Sequence, residues 1–299
     1  MKASCASAAG ALCLIAGAWP SLAADRAAIP DLSGAWARTT FALEQPESGP
    51  GPVRTLRLRA SDPTARDAQF NIGDEASPIL KPAAVEAVKR RNAMQRAGQN
   101  VPTPSNQCLP MVAPYIYRVQ GMQLLQSKNE VLLLYMQDHQ VRHVRLNSAH
   151  PVKLLPSAHG DSIGHYEGDT LVVDTVGFKL GPVAAVDQFG TPYSEAMHVV
   201  ERYRLISYEA AKEAQERLVR DVGGTATEQA ASIDPNYRGP GLQVRFTVED
   251  TNYFTMPWSG LATYRKSGAE WVENVCAENI HEYYAGIDTP VPQAEKPDF

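Results

Sequence analysis

The chain has 299 residues, with 33 Asp and Glu against 28 Lys and Arg, for a formal charge of -5. A mildly acidic chain lacks the basic footprint of nucleic-acid binding, and Lys89-Arg90-Arg91 is too short a run to supply one. Past the first 24 residues, no stretch is long and apolar enough for a helix that spans a bilayer.

The sequence opens MKASCASAAGALCLIAGAWPSLAAD. Lys2 is a minimal positive region, Ala8 to Ala18 is a short apolar core, and Ser21-Leu22-Ala23 is a small-residue cleavage site. Residues 1–24 read as a secretory signal peptide, cut after Ala23 or Ala24, which implies a periplasmic or secreted protein. About 275 residues then remain, enough for one large β-rich domain over 25–299.

In chain order, Gly34-Ala35-Trp36 resembles the G-x-W of lipocalin-like barrels, and Thr55-Leu-Arg-Leu-Arg59 alternates as a strand does. A helix is predicted near 82–97, opened by Pro82 close to a first-turn position. Strands are predicted over Glu130–Tyr135, Val141–Leu146, Ser162–Tyr166, Thr170–Val176, His198–Ile206, Leu242–Val248 and Phe254–Tyr264. A second helix, rich in Ala, Glu, Lys and Arg, interrupts them near 208–221. The expectation is a mainly β fold: an antiparallel β-barrel of lipocalin type, or a sandwich, with two or three inserted helices.

The chain has four cysteines, and Cys5 and Cys13 leave with the signal peptide. Cys108 and Cys276 remain, and in an oxidising compartment they are expected to form one disulfide. Two distant cysteines do not make a structural zinc site, and neither metal nor cofactor is expected.

Ionisable residues concentrate in GDSIGHYEGDTLVVDTVGF, residues 160–178. With Gly168-Asp169 as a two-residue turn, Glu167 faces Thr170, Tyr166 faces Leu171, His165 faces Val172, Gly164 faces Val173, and Ile163 faces Asp174. One face of this hairpin carries Tyr166, Leu171 and Val173 and reads as core. The other carries Ile163, His165, Glu167, Thr170, Val172 and Asp174. It is either a wetted surface or the lining of a barrel lumen, where His165 and Asp174 would be an acid/base pair.

His139 and His143 share a strand-like context, which separates them by roughly 13 Å and argues against a shared metal ion. His150, His159 and His165 are loosely spaced and meet only if the fold gathers them. His198, Val200, Arg202 and Arg204 alternate with Val199, Glu201, Tyr203 and Leu205. A buried Glu201 needs a partner: either an arginine such as Arg142 or Arg245, or a ligand in a pocket. Trp258, among the aromatics near 253–264, is a candidate apolar pocket wall.

Gly160-Asp161-Ser162-Ile163 also resembles the start of a GDSL-type esterase, but a hairpin follows Ser162 where those enzymes need a helix. Over most of the mature chain the resemblance is to a family of secreted bacterial proteins without an assigned activity. It is carried by GDSIGHYEGDTLVVDTVGF, HVVERYRLI, FTVED, Thr255-Met-Pro-Trp258 and Cys276-Ala-Glu-Asn279. The resemblance implies export and a β-rich fold, and it marks Tyr135, His139, Arg142, His165, Asp174, His198, Glu201 and Arg202 as positions to test. It also implies that Met136 and Tyr193 stand where relatives often carry Glu and His.

The functional expectation is a barrel that binds a small apolar or aromatic molecule in a polar-lined cavity, with Tyr135, Arg142, His198, Arg202 and Trp258 as ligand contacts. The alternative is a cofactor-free lyase, isomerase or hydrolase whose acid/base groups are His165, Asp174, His139 and Glu201. A third reading is a structural envelope protein. Oligomeric state has no signal in the sequence.

Overall fold

A computed structural model describes residues 29–40, 42–56, 72–99, 101–118, 121–222, 232–269 and 275–276. The segment read as a signal peptide, the later part of the strand expected at Thr55–Arg59, and most of the Cys276-Ala-Glu-Asn279 motif lie outside them.

Nine strands close into a barrel in simple sequence order. They are β1 (Gly34–Ala37), β2 (Met122–Gln126), β3 (Glu130–Tyr135), β4 (Gln140–Leu146), β5 (Asp161–Glu167), β6 (Thr170–Val176), β7 (His198–Ile206), β8 (Gly241–Glu249) and β9 (Trp258–Lys266). Two helices accompany them, α1 (Pro82–Arg96) and α2 (Tyr208–Val222). The β-barrel with inserted helices is therefore what the chain forms, and both helices lie where the sequence placed them. β1 and β2 were not anticipated as strands, because each is short and without a clear alternation.

The expected all-antiparallel order is corrected at one seam. β4 and β5 run parallel, with Val144 opposite Ser162 and Leu146 opposite Gly164. The reason is parity: a closed ring of nine strands cannot alternate direction all the way round. Parallel neighbours need a long crossover rather than a hairpin, and residues 147–160 supply it. This also departs from the eight-stranded up-and-down barrel of the lipocalins.

The hairpin of β5 and β6 has the register expected from its turn, from Glu167 opposite Thr170 to Ile163 opposite Asp174. Gly168, at φ 60, takes the left-handed conformation the turn requires and that a side chain resists. Leu171 and Val173 are fully buried, as are Val199, Glu201 and Tyr203 on β7. These residues point into the barrel.

The lumen is the hydrophobic core. Trp258, Tyr203, Tyr264 and Phe246 fill it, and Tyr117 enters from the 3-10 turn Tyr115–Arg118. Phe246 meets the Trp258 ring edge-on at 6.0 Å and stacks on Tyr117 at 5.9 Å. Gly260 makes room for it, since a Cβ there would lie 2.5 Å from the Phe246 ring tip.

The outer wall is dressed by the remaining segments. α2 buries Ala211, Ala214, Gln215 and Leu218, one helical stripe. Gln215 donates across to the carbonyls of Ala37 and Thr263. β1 reaches only the far end of β9, at Arg265 and Lys266. Glu44 and Pro50 take up backbone bonds with Leu261 and Ser259 on the uncovered length, which protects that edge. On α1, Ala84, Val88 and Asn92 form the buried line, and Asn92 exchanges side-chain hydrogen bonds with the backbone of Gly73. Cys108 and Cys276 lie at disulfide distance, with sulfurs 2.15 Å and Cα atoms 5.4 Å apart. Among the described residues, no helix is long and apolar enough to cross a membrane.

Candidate functional site

Three groups of polar residues stand out, one inside the barrel and two on its outer wall. Inside, Arg142 on β4 makes a two-pronged contact with Glu201 on β7, both side chains buried. Its Nε donates to Ser162 Oγ at 2.9 Å and its Nη2 to Thr175 Oγ1 at 2.6 Å. Tyr203 donates to Glu201 Oε1 at 3.0 Å, and the hydroxyls of Tyr117 and Tyr203 are 2.6 Å apart. Tyr135 lies 3.5 Å from Arg142 Nη1. Nearly every polar atom of the ion pair thus has a partner, the condition for holding charge in a low-dielectric interior.

Burial pushes the Glu201 carboxyl up, with the Tyr203 hydroxyl opposing. The guanidinium beside it opposes this further, and the two-pronged geometry is that of carboxylate with guanidinium. The half-buried ring of His159 stacks on Tyr135 at 6.0 Å. Burial and the nearby Arg142 charge hold its pKa down to about 4, so it is neutral at neutral pH.

On the outer wall a chain of charged groups crosses the parallel seam. Arg145 grips both oxygens of Asp161, at 2.8 and 2.9 Å. His150, on the crossover, lies between two carboxylates: Nδ1 is 2.6 Å from Asp161 and Nε2 is 2.9 Å from Asp174. Asp174 is also 2.9 Å from His198 Nε2. Burial works against a charged His150, but the hydrogen bonds to Asp161 and Asp174 outweigh it and raise its pKa. Arg145 is the main cause of the lowered Asp161 pKa. At Asp174, burial pushes upward, yet the hydrogen bonds from His150 and His198 bring the pKa down.

The third group floors a cleft of about 1360 Å³ between α2, residues 42–56 and the outer faces of β7, β8 and β9. Arg202, Arg245 and Leu261 form one row across three strands of this floor, with Arg202 and Arg245 directly opposite each other and the buried Val172 next in register beyond Arg202. Arg202 reaches Glu167 at 2.5 Å. Arg204, on the same face of β7, bonds Gln243 at 2.9 Å.

The sequence-derived candidates therefore divide. Tyr135, Arg142 and Glu201 come together in the interior, and of the two arginines considered for Glu201, Arg142 is the partner. The placement of His165 and Asp174 in the lumen is corrected: both lie on the outer wall, His165 half-exposed and 3.1 Å from Glu167. The cause is the alternation itself. Since Leu171 and Val173 fill the interior, the intervening positions must face out. His198 and Arg202 share that outer face. Trp258, expected as a pocket wall, is core, packed against Phe246 and Phe254, and its indole Nε1 has no hydrogen-bond partner among the described residues. His139 is exposed in the turn between β3 and β4, at φ 46, while His143 on β4 contacts Glu130 at 2.5 Å. Ser162 is buried against Arg142 and Thr175, which is no position for a nucleophile. Tyr193 is buried with its hydroxyl on the Lys179 carbonyl, and Met136 is half-buried after β3.

Groupings that the spacing does not show are Arg145 with Asp161 and His150 at the parallel seam, and Arg245 with Arg202 on the floor of the outer cleft. Tyr117 and Thr175 complete the interior network. Thr175 carried a usable signal, because it follows the inward positions Leu171 and Val173 by the same two-residue step. Among the described residues, no group of three or more His, Cys, Asp or Glu gathers to hold a metal ion. No family model, curated protein or solved structure matches this chain.

Proposed function

We propose that the protein is an exported β-barrel that binds a small, partly apolar molecule, and that the molecule sits in the outer cleft rather than in the lumen. The observation that carries this reading is the pairing of a filled interior with a cleft of about 1360 Å³ on the wall. Ligand pockets typically measure roughly 300–1,000 Å³, so the cleft has room for a ligand of drug size. Its lining joins apolar side chains such as Leu43, Val53 and Leu261 to arginines on the strands, the mixture that binding sites use. Export is supported by the leader sequence, by the resemblance to secreted bacterial proteins and by the single cysteine pair.

The enzyme reading has less behind it. The described histidine–carboxylate contacts lie on the outer wall: His150 with Asp161 and Asp174, His198 with Asp174, His165 with Glu167, and His143 with Glu130. Among the described residues, the carboxylate that points into the barrel is Glu201, and it is spent on Arg142 and Tyr203.

The test uses chain purified from a periplasmic extract and titrated with the neutral fluorescent probe N-phenyl-1-naphthylamine. The mature chain is expected to begin after residue 23 or 24 and to bind the probe saturably. Leu261→Trp, which fills the cleft floor, should weaken binding about tenfold or more. A parent protein that leaves the probe dark, or a Leu261→Trp variant that binds as the parent does, would overturn the cleft as the site.

A further inference from the structure

We propose that the ligand of this cleft carries an anionic group, a carboxylate or sulfonate on an aromatic or aliphatic body, seated on Arg202 and Arg245. The proposal rests on the binding reading above and adds the chemical class of the ligand.

The argument starts from register. Arg202 on β7 and Arg245 on β8 are direct cross-strand partners, and like charges placed directly opposite each other disfavour the pairing. A sheet face usually relieves such a pair with an acid on a neighbouring strand. Here the neighbours in the same row are Val172 on β6 and Leu261 on β9, both apolar. Glu167 reaches Arg202 through a single nitrogen, Nη2, and is shared with His165. Arg245 is exposed and has no hydrogen-bond or ion-pair partner among the described residues.

None of the acids that line the cleft pairs with Arg202 or Arg245 among the described residues. Both oxygens of Glu44 take hydrogen bonds from Thr263. Asp187 accepts from the backbone of Phe189 and Thr191. Asp74 accepts from the Ala76 amide, and Glu213 is paired with Arg220. The floor therefore carries two adjacent guanidiniums beside the apolar Leu261. An anionic group there would accept donors from both guanidiniums, and its apolar body would lie along Leu261 toward Val53 and Leu43.

Two probes of matched shape test this: 1-anilinonaphthalene-8-sulfonate, an aromatic anion, and its neutral counterpart N-phenyl-1-naphthylamine. Both should bind the native protein, the sulfonate more tightly. Added salt should weaken only the sulfonate. Arg245→Gln and Arg202→Gln should each weaken the sulfonate about tenfold and the neutral probe much less. Arg245→Glu should weaken it further. These side chains are exposed or half-exposed, so the variants should melt close to the parent's temperature, which is the check on folding. Equal affinities for the two probes, both insensitive to Arg202→Gln and Arg245→Gln, would overturn the anion site and leave the binding reading intact. Failure of both probes to bind the parent would overturn both.

Discussion

Arg142 and Arg245 are both candidates, on sequence grounds, for the partner of Glu201, and the barrel gives them opposite surroundings. Arg142 points inward, where Glu201, Ser162 and Thr175 take its donors. Arg245 points outward, faces Arg202, and meets no acid among the described residues. The interior tolerates charge only when it is matched group by group, because desolvation leaves nothing else to stabilise it. The outer wall tolerates a mismatch, because water screens it. An unmatched charge that costs little at rest remains free to engage something that arrives. The interior therefore depends on the matched charge of Arg142, and the proposed anion site draws on the unmatched one of Arg245.

The strongest way to break this comparison is to remove the interior carboxylate. Glu201→Ala leaves the Arg142 guanidinium buried and unpaired, and it should cost about 3–5 kcal/mol in urea denaturation. Replacing both partners with apolar residues, Arg142→Met with Glu201→Leu, should cost clearly less, since no lone charge remains. Equal costs for the single and double variants would show that the pair is not desolvated.

The Arg145–Asp161–His150–Asp174 chain on the outer wall offers an intermediate case. It ties the crossover to the barrel through half-exposed groups, so His150→Ala should cost no more than about 1 kcal/mol. Its contribution depends on pH. His150 has a pKa raised from 6.5, so its stabilisation is present below that value and is lost as pH rises through the higher folded pKa. Asp161 and Asp174 have pKa values lowered from 3.8, so theirs is present above that value and is lost as acid carries the pH through the lower folded ones. The chain should be tightest between roughly pH 4 and 6.5. Urea midpoints measured across pH 3 to 9 for parent and His150→Ala should diverge most inside that window. Parallel profiles would remove His150 from the account.

The smallest effect belongs to the arginine row. Arg245→Gln relieves a like-charge pair and should change stability by no more than about 0.5 kcal/mol, in the stabilising direction. A loss above about 1 kcal/mol would mean that Arg245 has a structural partner, and the contrast with Arg142 would fail.

Much of the scaffold was legible along the chain. The Gly168-Asp169 turn set the hairpin register residue by residue, and strict alternation on β7 separated Glu201 and Tyr203 from Arg202 and Arg204. The candidate site was less legible. The second face of the β5–β6 hairpin reads from sequence either as wetted wall or as lumen lining, and the structure makes it the wall. In this barrel side chains fill the lumen, so core and lumen are the same place, and with Leu171 and Val173 inside, His165 and Asp174 face out. His150 could not be connected to Asp161 and Asp174 from spacing, because their meeting depends on a parallel seam.

Local chemistry decided what is written at short range: where strands run, which residues share a face, where a chain bearing Gly168 turns, and that Cys108 and Cys276 are available to each other. Closure of the sheet decided the rest. It chose which face of each strand is dry, gave Glu201 to Arg142 rather than to Arg245, and required one parallel pair. The physical reason is that alternation acts between adjacent residues, whereas inside and outside exist only once β9 has met β1.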